Sequence, residues 1–363
     1  MRKTPLYEKH VALGAKMVDF AGWIMPLYYT SIFEEVESVR KVVGMFDVSH
    51  MGEIVVEGQD TEPFVNFLVT NDFSSIPEGK AMYTVMCNEV GGILDDLVVY
   101  KISHERAIMV VNAANIEKDF EWVRSHSKRF KVEVRNVSDE TALVAFQGPK
   151  SQEILQRAVD VDLERIGYYS FRWGKLDGKN VLISRTGYTG EDGFELMAKA
   201  ESATKIWDVL LEIANTVDGR PAGLGARDVC RLEATYLLYG QDMDETTSPF
   251  EVGLSWVVKM SKDFIGKEAL LRLKEKVGRK LVALELSERR IARKGYSVLK
   301  EGKEIGKITS GNFSPVLGKS IALALVSRSV KPGDRLEVTF PRKNVEARVV
   351  KKPFYRGSVR REA

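Results

Sequence analysis

Several things this sequence lacks narrow its chemistry. It has two cysteines, Cys87 and Cys230, with no CxxC pair and no paired histidines nearby, which excludes a disulfide scaffold and a cysteine-rich zinc site. The four histidines, His10, His50, His104 and His126, show no HxxxH spacing, so no metal is expected. No run approaches the ~20 apolar residues of a membrane span. The amino-terminal MRKTPLYEKHVALGAKM also lacks the unbroken apolar core of a signal peptide, so a reducing, cytoplasmic setting away from membranes is expected. A net charge of +3 is too small to indicate nucleic acid, and the basic residues in KKPFYRGSVRR (351–361) read more naturally as a solvated tail than as an anion site.

What is present suits a multidomain globular protein. At 363 residues, 44% of them hydrophobic and 29% charged, the chain exceeds the usual size of one core, and two or three domains are expected. SIFEEVESVRKVVG has Ser31 followed three residues later by Glu34, with Ile32, Val36, Val39 and Val43 at helical intervals. This predicts a capping-box helix closed by Gly44. KAMYTVMCNEVGGILDDLVVYKISHERAIMVVNAAN predicts three consecutive antiparallel strands, followed by a helix capped by Asn112 or Asn115. NVLISRTGYTGEDGFELMA places two strands around a glycine-rich loop. From about Phe264 short strands alternate with turns, which predicts a separate antiparallel β barrel or sandwich.

The oddest residues are acids inside apolar strands. In GGILDDLVVYK, period-two alternation sends Asp95 and Asp96 to opposite faces, so they cannot serve as a paired general acid and base on one bond. Because both faces continue as apolar, at least one carboxylate enters a poorly solvated place, where an unpaired charge is costly. A single strand aspartate can instead accept a hydrogen bond from a substrate amine. A structural pairing with a lysine is equally compatible with the local sequence. Glu195 in FELMA is similar: it can accept two parallel N–H bonds from an amidine-like ring edge, or pair with Arg227 or Arg231.

The glycine-rich segments narrow the choice. RTGYTGEDG (185–193) lacks the spacing of a phosphate-binding P-loop, and Tyr188 between its glycines could close over a flat ligand; equally, the glycines could simply permit positive φ. GRPAGLGARD (219–228) is a poor dinucleotide fingerprint, since Asp228 stands where the third glycine belongs.

Taken together, DFAGWIMPLYY (19–29), FDVSHMGEIVVEG (46–58), GGILDDLVVYK, SRTGYTGEDGFE (184–195), GLGARDVCRLEA (223–234), YGQDMDETTSPFEVGLSWVVK (239–259) and GNFSPVLGKSIALALV (311–326) resemble the aminomethyltransferase or T-protein family of the glycine cleavage system, in that family's order and over nearly the whole chain. A related iron- and sulfur-linked protein carries a KGCYxGQE segment. Leu237, Leu238 and Tyr239 stand before Gly240 here, which favours the transferase. The resemblance implies an α+β fold of three domains arranged as a cloverleaf around a central folate cavity: a core from 1–49 plus 136–262, a second α+β domain over 50–135, and a C-terminal β barrel over 263–363.

The same resemblance implies transfer of a one-carbon unit from the aminomethyl-dihydrolipoyl arm of the H protein to tetrahydrofolate, with release of ammonia and 5,10-methylenetetrahydrofolate. Asp96 matches the family's catalytic acid and Glu195 its pterin-edge carboxylate. Met51, Tyr83, Val110, Asn112 and Tyr188 match the ring pocket, and Arg227 and Trp256 match positions near the bound folate. The folate tail falls to Arg356, Arg360 or Arg361, of which Arg360 is the choice. The rival reading is a non-catalytic folate-binding regulatory or assembly protein on the same fold.

Overall fold

The computed structural model describes residues 1–360 and builds the chain around three main sheets. A five-stranded antiparallel sheet has the order Ala81–Cys87, Ile93–Ser103, Arg106–Val111, Gly52–Glu57, Glu133–Asn136. The first three in that order, from the Ala81–Cys87 edge inward, are the consecutive ones predicted from sequence. A six-stranded mixed sheet runs Phe171–Leu176, Lys179–Ser184, Gly193–Lys199, Thr141–Gln147, Gly44–Asp47, Arg220–Pro221. Six strands between Arg279 and Val350 close into an antiparallel barrel filled by Leu284, Val298, Ala324, Val338 and Val345. The fold is therefore α+β with a C-terminal β barrel. Among the described residues no helix is long and apolar enough to cross a membrane.

The two larger sheets meet through one apolar cluster. Val55, Tyr100, Ile108 and Val110 of the first pack with Phe46, Leu143, Leu182 and Met197 of the second, and helix Leu224–Glu233 adds Ala226 and Val229. Each fully buried side chain of this size contributes about 1.5–3 kcal/mol relative to exposure, enough to fix the sheets together. The opposite face of the five-stranded sheet carries Leu97 and Val99 against Phe64, Leu68, Ile116 and Val123 of two covering helices. Strand Ile93–Ser103 thus has apolar neighbours on both faces, which is why its two adjacent acids meet such different surroundings.

Two local expectations change. Ser31 does cap helix Ile32–Lys41, accepting a bond from the Glu34 N–H at 3.2 Å and donating its hydroxyl to the Glu34 carboxylate at 2.9 Å. Gly44 does not close that helix: it opens a strand, where an added Cβ would lie 2.3 Å from Val39 Cγ2. Asn115 stands at the N-cap of helix Ile116–His126, but neither it nor Asn112 caps with its side chain. Both amides are drawn to Asp95 instead, because a buried carboxylate is a stronger acceptor need than a helix end.

The barrel docks on helix Leu224–Glu233 through polar contacts. Arg231 donates to Ser310 at 2.9 Å and to Asp242 at 2.8 Å, and Asn312 donates to Asp228 at 2.9 Å. Beyond the barrel the chain returns across the glycine-rich loop. Ser358 donates its N–H (2.8 Å) and hydroxyl (2.6 Å) to Glu191, and its hydroxyl oxygen accepts from the Asp192 N–H at 3.0 Å. The loop is also clasped from beneath: Arg40, buried, donates to Glu191 and Glu233 and to the Thr189 carbonyl, with the Tyr355 ring 4.3 Å from its guanidinium carbon.

Candidate active site

The first half of the site is the asparagine-pinned corner of strand Ile93–Ser103. Asp95 is fully buried and accepts three bonds: from the Asn112 N–H at 2.9 Å, the Asn112 side-chain amide at 2.8 Å and the Asn115 amide at 2.7 Å. Among the described residues it has no lysine partner; the asparagines hold it. Asp96, on the other face, is partly exposed. Its Oδ2 accepts the Tyr83 hydroxyl at 2.9 Å, and its Oδ1 accepts the Asn112 amide at 2.9 Å. Asp96 pairs with Val85 across the hairpin, which leaves Tyr83 on the diagonal and within reach of the carboxylate. Trp256, 57% exposed, stacks on Tyr83 with ring centroids 5.8 Å apart.

Asp96 is pushed up to about 7, first by burial and next by the neighbouring Asp95 charge, while the bonds from Tyr83 and Asn112 pull the other way. The Tyr83 hydroxyl is raised well above its ordinary value by burial and by Asp96, so it keeps its proton and donates. A carboxyl balanced near neutrality and held by two donors is suited to exchange a proton or a hydrogen bond with an amine.

The second half lies on the six-stranded sheet. Glu195 on strand Gly193–Lys199 accepts the Thr186 hydroxyl, which itself lies 2.6 Å from Ser184 Oγ, with the Tyr100 hydroxyl 3.1 Å from that same Ser184 oxygen. Burial raises the Glu195 carboxyl; Thr186 and Arg227 oppose the rise. Arg227, from helix Leu224–Glu233, sits over the Tyr188 ring at 4.7 Å and forms no ion pair among the described residues. The ion-pair alternative for Glu195 fails for Arg231, which is taken by Asp228 and Asp242 at 2.8 Å each. Tyr188 stacks on Tyr236 at 6.0 Å and donates its hydroxyl to the Leu237 carbonyl. It feels the charges of both Asp96 and Arg227, which places it between the two halves.

Of the loop glycines, only Gly190 has a positive φ (+81). Gly187 is required for another reason: a Cβ there would meet Gln147 Oε1 at 1.8 Å. Arg185 closes the loop base through a buried pair with Asp192 at 2.7 Å.

Met51 and Val110 belong to the intersheet cluster, partly buried and buried respectively. Arg360 is exposed and lies 3.1 Å from Glu164, Arg356 is exposed, and Arg361 falls outside the described residues. Three residues of this region escaped the sequence reading. Tyr169, in the left-handed region at φ +53, bridges the sheets by accepting from the Ala81 N–H and donating to the Arg185 carbonyl, and nothing local marks it. Glu53, 1% exposed with neither oxygen partnered among the described residues, is raised well above its ordinary value by burial. As an acid in the apolar run GEIVVEG it carried the same signal as Asp96. Asp119 resembled an ordinary acid of a helix's first turn. Among the described residues no group of three or more His, Cys, Asp or Glu is placed to hold a metal.

Known proteins share the sequence and the fold over nearly the whole chain. The family described as the GCVT N-terminal domain matches residues 6–262, and the glycine cleavage T-protein C-terminal barrel domain matches 279–356. Over 363 residues, the full length of both chains, the sequence is 85% identical to the aminomethyltransferase of Thermotoga neapolitana and 73% identical to that of Thermotoga maritima. The crystal structure of the glycine cleavage system aminomethyltransferase T from Bartonella henselae superposes with a TM-score of 0.93 at 31% identity, covering 99% of each chain.

Proposed function

The chain belongs to the glycine cleavage T-protein family and is an aminomethyltransferase, and from that premise we propose that it moves the one-carbon unit of an aminomethyl group, carried on the dihydrolipoyl arm of the H protein, to tetrahydrofolate. Ammonia and 5,10-methylenetetrahydrofolate are the products, and the lipoyl arm is left as a free dithiol. The observation that carries the reading is Asp96, tuned near neutrality and held by Tyr83 and Asn112 in the space between the sheets.

The residues fit a folate. Glu195 accepts only the Thr186 hydroxyl among described residues, which leaves carboxylate capacity for the two N–H groups of a pterin edge. Tyr83, Trp256, Tyr188, Met51 and Val110 supply aromatic and apolar surface for a flat ring, and Arg227 supplies a cation without an ion pair among the described residues. Bound folate would supply the nucleophilic nitrogens that accept the carbon. Asp96 would take the hydrogen bond of the bridging secondary amine and raise its electron density, with Tyr83 and Asn112 fixing the carboxylate's direction. Asn112, shared between Asp95 and Asp96, transmits the position of the buried acid to the exposed one. Arg360 is the proposed contact for the folate tail, released from Glu164.

Mixing the protein with aminomethylated H protein and tetrahydrofolate should release ammonia and methylene-folate in equal amounts. A protein that binds folate yet releases neither would refute the reading, and methyl-folate formed from a sulfonium donor would replace it with a demethylase.

A further inference from the structure

Behind Asp95 lies a third carboxyl that the mechanism above leaves unused. Asp119 is fully buried, and neither of its oxygens has a donor among the described residues. It sits one turn after Asn115 on helix Ile116–His126, and residues four apart share a helix face, so both point at strand Ile93–Ser103. After burial, the Asp95 carboxyl is the group that acts on it most strongly, as a neighbouring charge and as a hydrogen-bonding partner. Asp95 already accepts three N–H bonds from Asn112 and Asn115.

Two carboxylates cannot share such a contact while both are ionised; one must carry a proton and donate it. The donors choose which. Asp95, with three, is the anion; Asp119, with none, is the acid. We propose that Asp119 is a positioning residue that stays protonated and, through an O–H bond to Asp95, holds that carboxylate and its asparagines in place behind Asp96.

The surrounding charges agree. Lys118, the cation that acts on Asp119, is engaged with the Leu94 carbonyl at 2.7 Å and with Tyr239 and Glu245 at 3.2 Å. Tyr239 and the more distant Asp96 complete the groups facing Asp119, and on the far side Tyr83 and Tyr188 face Asp96. Burial and Asp95 together raise Asp119 well above the carboxylate range, against the weaker pull of Lys118. The result is a relay: Asp119 donates to Asp95, Asp95 orients Asn112, and Asn112 donates to Asp96.

The inference rests on the catalytic reading of Asp96 for its consequence, not for its chemistry, and two variants separate the two. In the infrared difference spectrum between the unliganded wild type and Asp119→Asn at pH 8, the band lost should be that of a protonated carboxyl; loss of a carboxylate band overturns the proposal whatever the enzyme does. In kinetics, Asp119→Asn keeps a donor and should retain the wild-type acid limb of kcat/KM. Asp119→Leu removes it, makes Asp96 more basic, and should move that limb upward by about one pH unit, a roughly fivefold loss at pH 7. Equal profiles for the two variants overturn the positioning role. If Asp96→Asn has full activity, the catalytic reading fails while the infrared result still decides the state of Asp119.

Discussion

Asp96 and Glu195 are both strand acids in apolar company, both raised by burial, yet they are provided for in different ways. Asp96 stands beside another anion, Asp95, and its donors, Tyr83 and Asn112, only partly offset the rise. Glu195 stands near a cation, Arg227, and accepts a hydroxyl from Thr186. An acid beside an acid is arranged to change its proton occupancy near neutrality. One beside a cation and a hydroxyl donor has both opposing the rise that burial brings. In the proposed reaction the five-stranded sheet carries the chemistry and the six-stranded sheet the recognition.

The sharpest break in that comparison is Asp96→Asn. Turnover should fall by ~10²–10⁴ while folate affinity measured by calorimetry stays near wild type. The converse variant, Glu195→Gln, mismatches a pair of charge-assisted bonds and should weaken folate binding by about 1–3 kcal/mol with a smaller change in kcat. If the two variants exchange phenotypes, the division of labour is wrong.

A pH series sharpens the contrast next. If the carboxylate form of Asp96 is the working one, kcat/KM should drop about tenfold per unit below pH 7, and Glu195→Gln should retain that limb. Stability runs oppositely. The folded pKa of Asp96, about 7, lies above its unfolded value of about 3.9, so the folded state binds more protons between the two. Its contribution is fully present below about pH 4 and is lost as pH rises through 7. Asp96→Asn should therefore melt higher than wild type by a margin that grows from pH 5 to pH 7 and then levels off, as read by calorimetry. The smallest effect expected is that of Ser358→Ala, which removes hydroxyl bonds to Glu191 and Asp192 and should weaken folate binding by about 0.5–1.5 kcal/mol through the Tyr188 loop, leaving the Asp96 limb in place.

Much of this was legible in the chain. Strand alternation separated Asp95 from Asp96, and the turn-rich texture after Phe264 announced the barrel. The failures share a cause: a local rule was outcompeted by a distant partner. Asn112 and Asn115 had the composition of helix caps, but the Asp95 carboxylate lies on a strand about twenty residues earlier. Gly44 had the position of a helix terminator, but the close approach of Val39 is what requires it. Tyr169 carries no local signal, since its bridging role exists only once two sheets face each other.

The clasp on the glycine-rich loop bears on the order of folding. Ser358 reaches Glu191 across 167 residues of sequence. The entropy of closing so long a loop grows only logarithmically with length, so the contact is cheap to keep but slow to find. Apart from the short Arg220–Pro221 strand, which pairs with Gly44 and Met45, both larger sheets pair from nearer neighbours, whereas the loop that carries Tyr188 gains its outer anchor only after the barrel has closed and docked. In a refolding time course, folate-binding competence should therefore lag behind the appearance of native sheet, and the lag should lengthen when the docking contacts of Arg231 and Asp228 are weakened.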